Sequence, residues 1–432
     1  MSFDQIAALV VLIAVVAVMI HGKLRSDVTA LTGAAALLLL GVIRPVEVQG
    51  AFASPAVIAL AGLFVIAYAI ELSGLLGLMI RKATALCARM GEAGLWLMIT
   101  LCGGASAFLN NTPIVVLAAP VVKEVGASMA LSPKRFLIPL SYVTIMGGAC
   151  TLIGTSTNLL VNDMARNAGQ PVFGLFEITP VALVIALFGG AYLYFVGGRL
   201  LGSADSETGL RRSQEQTGDG LLGDADLFAA ADRPFDVRRA ILSLTVFVAV
   251  IVAAGLGIAP IAAAAFAGAV ILILLRVVSA EEAYAGLRPE VLLLIAGMVV
   301  VGLSIEVTGL AGAGAELLID AIRPLGPLGA LIILYGVTLF ATELLSNAAV
   351  AVLITPIAVA LAASLGVDPR PFLVGVMMAA SAAFATPFGY QTNVLVFQLG
   401  GYSYMDFVRI GVPLNLVTWV AAMIAIPIFF PF

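Results

Sequence analysis

Charge is what this sequence has least of. Only 11% of its 432 residues are Asp, Glu, Lys or Arg, against roughly 25% in soluble domains, and 62% are hydrophobic. A water-solvated surface cannot be made from that inventory. Histidine is nearly absent: His21 stands alone at the end of an apolar run, beside Lys23 and Arg25, and reads as an interfacial side chain. The three cysteines, Cys87, Cys102 and Cys150, sit in apolar stretches as small fillers and offer no disulfide framework. These shortages exclude zinc and haem centres, and there is no Ser-His pair or buried aspartate pair for an intramembrane enzyme. The net charge of -4 is small and gives no basic excess for nucleic acid. Alternating segments of about ten residues, which an outer-membrane barrel needs, are missing too.

What the chain does have is apolar runs long enough to cross a hydrocarbon core of about 30 Å as helices. Spans are expected at about 5–20, 28–43, 56–78, 137–165 and 177–197, and again at about 240–257, 260–276, 290–311, 371–398 and 408–430. The N-terminal Met1-Ser-Phe-Asp4 lacks a basic n-region and no small-residue cleavage site follows Ile20, so the first run reads as a retained span. A polar stretch, Gly198 to Arg239, joins the two groups. It lacks the spacing of a calcium loop and reads as a flexible linker.

The two groups are copies. Asn111, Leu117, Pro120, Pro133, Phe136 and Leu137 recur as Asn347, Leu353, Pro356, Pro369, Phe372 and Leu373 at one offset. One residue less of offset aligns Thr151, Gly154, Thr157 and Asn158 with Thr386, Gly389, Thr392 and Asn393, and Gly62, Glu71, Gly74 and Leu75 with Gly297, Glu306, Gly309 and Leu310. In each copy a segment between the third and fourth span does not read as a span. The first, about 93–122, has Asn110-Asn111-Thr112-Pro113 at its middle, and basic residues at both ends place both ends on one face. The second is about 327–363, with Ser346-Asn347-Ala348-Ala349 at its middle. Each is expected to be a re-entrant hairpin, and the arm Ile114–Val122 would rise only about 15 Å. Five crossings per copy invert the second relative to the first. With the N- and C-termini outside, only Arg44, Arg166, Arg323 and Arg370 lie outside, and the other seventeen of the 21 basic residues lie inside, as the positive-inside rule asks. The expected fold is therefore an all-α polytopic membrane protein of two inverted repeats, 1–198 and 240–432, joined by a cytoplasmic linker at 199–239. Each repeat has five spans, one of them broken, plus one hairpin.

Four polar interruptions fall at membrane depth: Asn110 to Pro113, Gly147 to Asn158, Ser346 to Ala349 and Ala385 to Asn393. Irregular backbone survives there only inside protein or along a watery cavity. Broken helices expose N–H groups that suit anions and C=O groups that suit a small hard cation. No Lys or Arg falls in any interruption, so a bound anion needs helix N-termini, Asn and Thr donors, and a co-bound cation. Glu343, just before the second tip, is the one nearby acid, which favours sodium coupling over a proton relay. Glu71 and Glu306 read as structural or interfacial. The pattern points to a secondary transporter with its site between the repeats. An anion channel is the alternative of another class, although no ring of charges or carbonyls repeats around one pore.

The paired Asn-tipped hairpins, Gly154-Thr-Ser-Thr-Asn158, and Ala385-Thr-Pro387 with Gly389 to Asn393 resemble the divalent-anion/sodium symporter family of the ion-transporter superfamily. The resemblance covers roughly 50–430 apart from the linker. It implies a homodimer in a bacterial inner membrane, with a scaffold domain from about 1–92 and 240–326. A transport domain from about 93–198 and 327–432 would move as an elevator. It implies one sodium site from Ser106, Asn110, Asn111 and Gly154, and another from Thr342, Leu345, Asn347 and Ala385. Substrate would meet Asn111, Thr112, Asn347, Thr386 and Pro387, to which the polar residues of the interruptions add Thr155, Asn158, Ser346 and Asn393. Dicarboxylate members show Ser-Asn-Thr at both tips, whereas here Asn110 opens the first and Ala348 closes the second. That departure is closest to the sulfate-type branch, without the regulatory cytoplasmic domains that the short linker could not hold. Sulfate or a similar oxyanion is expected, with a sodium- or proton-coupled di- or tricarboxylate as the alternative.

Overall fold

The computed structural model describes residues 2–21, 24–75, 77–78, 82, 90–129, 131–197, 235–310, 325–387 and 389–432. The expected linker lies outside them as far as 234, as do Cys87, Arg81, Arg89, Asp320, Arg323 and the side chain of Glu306. Among the described residues there is no strand. The first half runs α1 Phe3–His21, α2 Ser26–Leu39, α3 Pro45–Phe52, α4 Pro55–Leu72, α5 Glu92–Ser106, α6 Asn111–Ser128, α7 Lys134–Gly148, α8 Ser156–Asn167 and α9 Thr179–Tyr192. The second runs α10 Val237–Gly255, α11 Ile261–Leu274, α12 Ala280–Gly286, α13 Pro289–Val307, α14 Gly326–Ala341, α15 Asn347–Leu365, α16 Arg370–Ser381, α17 Gln391–Gly400 and α18 Tyr404–Phe429.

Five stretches are long and apolar enough to cross a membrane alone: 45–72, 179–197, 237–255, 347–365 and 404–429. A sixth is the pair α12 and α13, bent by 56° at its break. Two short helices, α3 and α12, were not expected; each precedes a helix that opens on proline, Pro55 or Pro289, which disfavours helix in the residue before it. The hairpin arms are also longer than the half-bilayer expected. The helix that opens at Asn111 continues for 18 residues to Ser128, about 27 Å at 1.5 Å per residue. It runs straight through Pro120 and into the polar Lys123-Glu124, and its counterpart runs through Pro356.

The helix packing is duplicated along with the sequence. As α4 packs on α11, so α13 packs on α2; α5 lies on α7 as α14 lies on α16; α6 meets α17 as α15 meets α8. The paired glycines set two of these crossings. A Cβ at Gly62 would come 2.6 Å from the Ala265 backbone, and one at Gly297 would come 2.9 Å from that of Ala30. The most enclosed helices are α7 and α16, buried from Phe136 to Tyr142 and from Pro371 to Ser381. By contrast α10 presents Ile241, Leu244, Val248 and Val252 outward, as a lipid-facing helix can.

The exchange is incomplete between the first helices of each half and the hairpins. Helix α13 packs along α15, and Gly302 is wedged between Val352 and Met164, whereas α4 shows no comparable packing on α6. A cavity lies there, lined by α4 and the start of α6.

The α5/α7 crossing is the tightest, because a Cβ at Gly147 would overlap the carbonyl oxygen of Gly103. Gly147→Ala is expected to cost about 1–3 kcal/mol, the usual range for overpacking, and to lower the unfolding temperature in detergent. Gly104→Ala, with nothing within 4 Å of the new methyl, is the control and should not.

Candidate functional site

The cavity encloses about 410 Å³. One wall is apolar, from Leu60, Leu63, Phe64 and Ala67 of α4, Phe247 of α10, and Val291 and Leu294 of α13. Facing it are four helix beginnings: Asn110–Thr112 at α6, Thr155–Thr157 at α8, Ser346–Ala348 at α15 and Tyr390–Gln391 at α17. Helix N-termini carry unpaired N–H groups and about half a positive charge each. Local side chains fix these starts. Asn110 Oδ1 accepts from Thr112 N at 3.1 Å, Ser346 Oγ from Ala349 N at 3.3 Å, and Thr155 Oγ1 from Thr157 N at 3.4 Å. Further N–H groups of each first turn remain for a ligand.

The two broken spans are braced alike. Asn158 Nδ2 donates to the carbonyls of Thr151 at 2.9 Å and Ala149 at 3.3 Å. Asn393 Nδ2 donates to those of Ala383 at 2.8 Å and Thr386 at 3.3 Å. Thr151 Oγ1 accepts from Gly154 N, and Thr386 Oγ1 from Gly389 N, both at 3.1 Å. Each threonine hydroxyl also donates to the end of its hairpin's first arm, and here the copies part. Thr151 donates to the carbonyl of Ala107, whereas Thr386 donates to the Glu343 carboxylate at 2.9 Å. Ala107 and Glu343 are the same position of the two copies. The Glu343 carboxylate also accepts from Ala385 N at 2.7 Å, Thr386 N at 3.0 Å and Asn415 Nδ2 of α18 at 2.9 Å. It thus ties the second hairpin, the second break and the last helix together.

Behind the cavity-lining layer lies an oxygen-rich one. Ser106 Oγ donates to Asn111 Oδ1, and Thr342 Oγ1 donates to Asn347 Oδ1 and to the Ala380 carbonyl, both at 2.8 Å. Gly154 is packed so closely that a Cβ there would overlap the Gly148 carbonyl oxygen and reach 2.7 Å from that of Ala107. Hydroxyl, amide and carbonyl oxygens with no facing cation are ligands of the kind hard cations take.

The structure therefore sorts the expected residues into layers. Asn110, Asn111, Thr112, Gly154, Thr155, Leu345, Ser346 and Asn347 line the cavity. Ser106 and Thr342 stand one layer behind, each bonded to a tip asparagine. Ala385 and Thr386 spend their N–H groups on Glu343, and Asn158 and Asn393 are buried braces. None of these four lines the cavity, nor does Pro387.

Several cavity residues escaped the sequence reading. Asn111 Nδ2 donates to the Tyr390 hydroxyl at 2.9 Å, and Thr112 Oγ1 donates to Gln391 Oε1 at 3.2 Å, so the second break closes over the first tip. The signal was there: Tyr390-Gln391 replaces Thr155-Ser156 in the aligned copies. Arg288, immediately before α13, also lines the cavity, although it lies in none of the interruptions.

The chain resembles known transporters. The sequence profile described as citrate transporter matches residues 14–369. The probable sodium/sulfate cotransporter 3 of Chlamydomonas reinhardtii is 40% identical over 95 residues, which cover 20% of this chain and 11% of that protein. The sodium-dependent dicarboxylate transporter SdcS of Staphylococcus saprophyticus is 25% identical across 89% of this chain and 78% of its own. Among solved structures, MtrF of Neisseria gonorrhoeae, described as illuminating a class of antimetabolite efflux pumps, superposes with a TM-score of 0.60. It does so at 13% identity, over 99% of this chain and 95% of that one, a likeness of fold.

Glu343→Ala would strip the acceptor from four donors at once. Leaving buried donors unpaired costs about 1–3 kcal/mol each, so the variant should unfold at clearly lower temperature. Ala107→Ser, which alters the equivalent position without removing an acceptor, should not.

Proposed function

The chain belongs to the citrate transporter family, and we propose that within it the protein is a sodium-coupled symporter of a divalent oxyanion, sulfate or one like it. The observation that carries this reading is the convergence of four helix N-termini on one cavity, with no basic residue on any of the four. A dianion desolvated there gains partial charges and N–H donors, but no full positive charge from these elements. Sodium in the oxygen-rich layer supplies it. Ser106 and Thr342 join that layer to Asn111 and Asn347. A cation drawing on those oxygens orients the tip amides toward the anion, so each ligand favours the other.

The unequal packing of the two copies supports alternating access. Helix α13 packs along α15 while α4 shows no comparable packing on α6: packing α4 on α6 and parting α13 from α15 would close this cavity and open its counterpart. In the topology that charge placement implies, the present cavity faces the cytoplasm. The hairpins and broken spans would move as a body against a scaffold of α1–α4 and α10–α13, an elevator working best in a homodimer whose scaffolds anchor each other.

A dicarboxylate is the second reading, and two observations favour it. A cavity of about 410 Å³ has room beyond one sulfate, and SdcS matches along most of the chain while the sulfate cotransporter matches over a fifth. Ala348 supports the sulfate reading, because it lines the cavity without a hydroxyl and leaves one donor fewer for a distant second carboxylate. A donor lost to a charged acceptor costs roughly 1.5–3 kcal/mol, or about ten- to a hundredfold in affinity.

Three measurements test the proposal. Sulfate binding by calorimetry should be strong in sodium buffer and weak in choline buffer; equal affinity would remove sodium coupling. Asn111→Ala and Asn347→Ala should each abolish uptake into proteoliposomes while eluting as intact protein, since an interhelical polar contact in a membrane is worth only about 0.6 kcal/mol. Unlabelled thiosulfate should displace labelled sulfate better than succinate or citrate does. Displacement by succinate at equal or lower concentration would make this a dicarboxylate carrier.

A further inference from the structure

Among the described residues, two charged side chains line the cavity, Glu343 and Arg288. The Glu343 carboxylate is fully engaged by donors of its own domain. Arg288 is the opposite case. Its half-buried guanidinium donates no hydrogen bond and forms no ion pair among the described residues. The acids in electrostatic reach are Glu290 and Glu71, neither paired with it. A guanidinium carries five N–H donors in a planar fork suited to oxyanions, and here they are open to a ligand that enters the cavity.

The position gives this cation a task. It stands at the 56° break between α12 and α13, on the apolar wall that faces the four helix N-termini. Both α4 and α13 open on a proline, and the residue before it is Ser54 in one and Arg288 in the other. Among the described residues, the fixed positive charge at this position therefore belongs to one copy of the duplicated unit and not to the other.

We propose that Arg288 is a second anion-binding station, which takes a divalent oxyanion at the mouth of the cavity and hands it to the helix N-termini at the hairpin tips. This rests on the reading of the protein as an anion transporter. The station belongs to the wall and not to the tip elements, so it holds the anion only while the cavity is open toward it. Its contribution is to capture and retention; the tip site and the sodium layer are left as they are.

The test uses the full-length protein in proteoliposomes with labelled sulfate as probe. The variants are Arg288→Gln and Arg288→Lys, each checked by size exclusion; should the Gln variant aggregate, Arg288→Met keeps the apolar stem and takes its place. Neutralising the charge should raise the KM for sulfate roughly tenfold while Vmax stays within about twofold, as loss of a steering charge does. Lysine should restore most of the affinity. At constant sodium, the ratio of variant to wild-type KM should shrink as ionic strength rises from about 0.05 to about 0.5 M, because salt screens an exposed charge. An unchanged KM in the neutral variant would overturn the station, and so would a raised KM that lysine does not restore or that salt does not touch. Wild-type protein without saturable uptake of sulfate or succinate would overturn the transport reading itself, and this station with it. Wild-type uptake with an indifferent Arg288→Gln would overturn the station alone.

Discussion

Four interrupted helices inside an apolar fold create a debt of unpaired backbone groups, and most of the polar side chains discharge it. No water reaches hydrocarbon to solvate a stray N–H or C=O. Asn158 and Asn393 accordingly hold two carbonyls each across a break. Thr151 and Thr386 fold the same breaks back on themselves, and the Tyr142 hydroxyl donates to the Phe384 carbonyl. The N–H groups at the four helix beginnings that line the cavity are the ones a ligand can use. Structure and binding capacity are two parts of a single hydrogen-bond inventory.

The copies have diverged where that inventory could be altered cheaply. Substituting a carboxylate for a backbone carbonyl at the end of a hairpin arm, Glu343 for Ala107, gives the second half a negative group that gathers N–H donors from the break. The donors so gathered are not free for any other acceptor, which leaves the first half with more open donors than the second. A second divergence runs the other way. Ser141 donates to Asn393 Oδ1 at 2.7 Å, while Asn158 Oδ1 is buried without a partner. The position that would serve it, by the offset of the neighbouring helices, is Met377, which has no donor to give.

Much of this was legible in one dimension. A polar residue at the centre of an apolar run is conspicuous, so the tips at Asn111 and Asn347 could be located, and their repetition doubled the signal. The arm expected over Ile114–Val122 is longer in the structure, because the charge at Lys123 reads as its end, yet the helix continues past it to Ser128, packed on α7. Arg288 was hidden for a different reason. It belongs to none of the interruptions, and only the bend between α12 and α13 brings it to the cavity. The part played by Glu343 was equally unreadable, since its partners lie on a break and on a helix about forty and seventy positions away. Motif spacing reports what one segment can do; it carries no information on which wall another segment turns toward it.

Gly411 has a mechanical consequence. A Cβ there would overlap the Phe384 carbonyl oxygen, so α18 lies backbone to backbone on the second break, and Asn415, one turn further along, is bonded to Glu343. The helix that carries both contacts runs for 26 residues, so a fluorophore or spin label beyond its far end, at Phe432, would report on the break without touching any residue that lines the cavity.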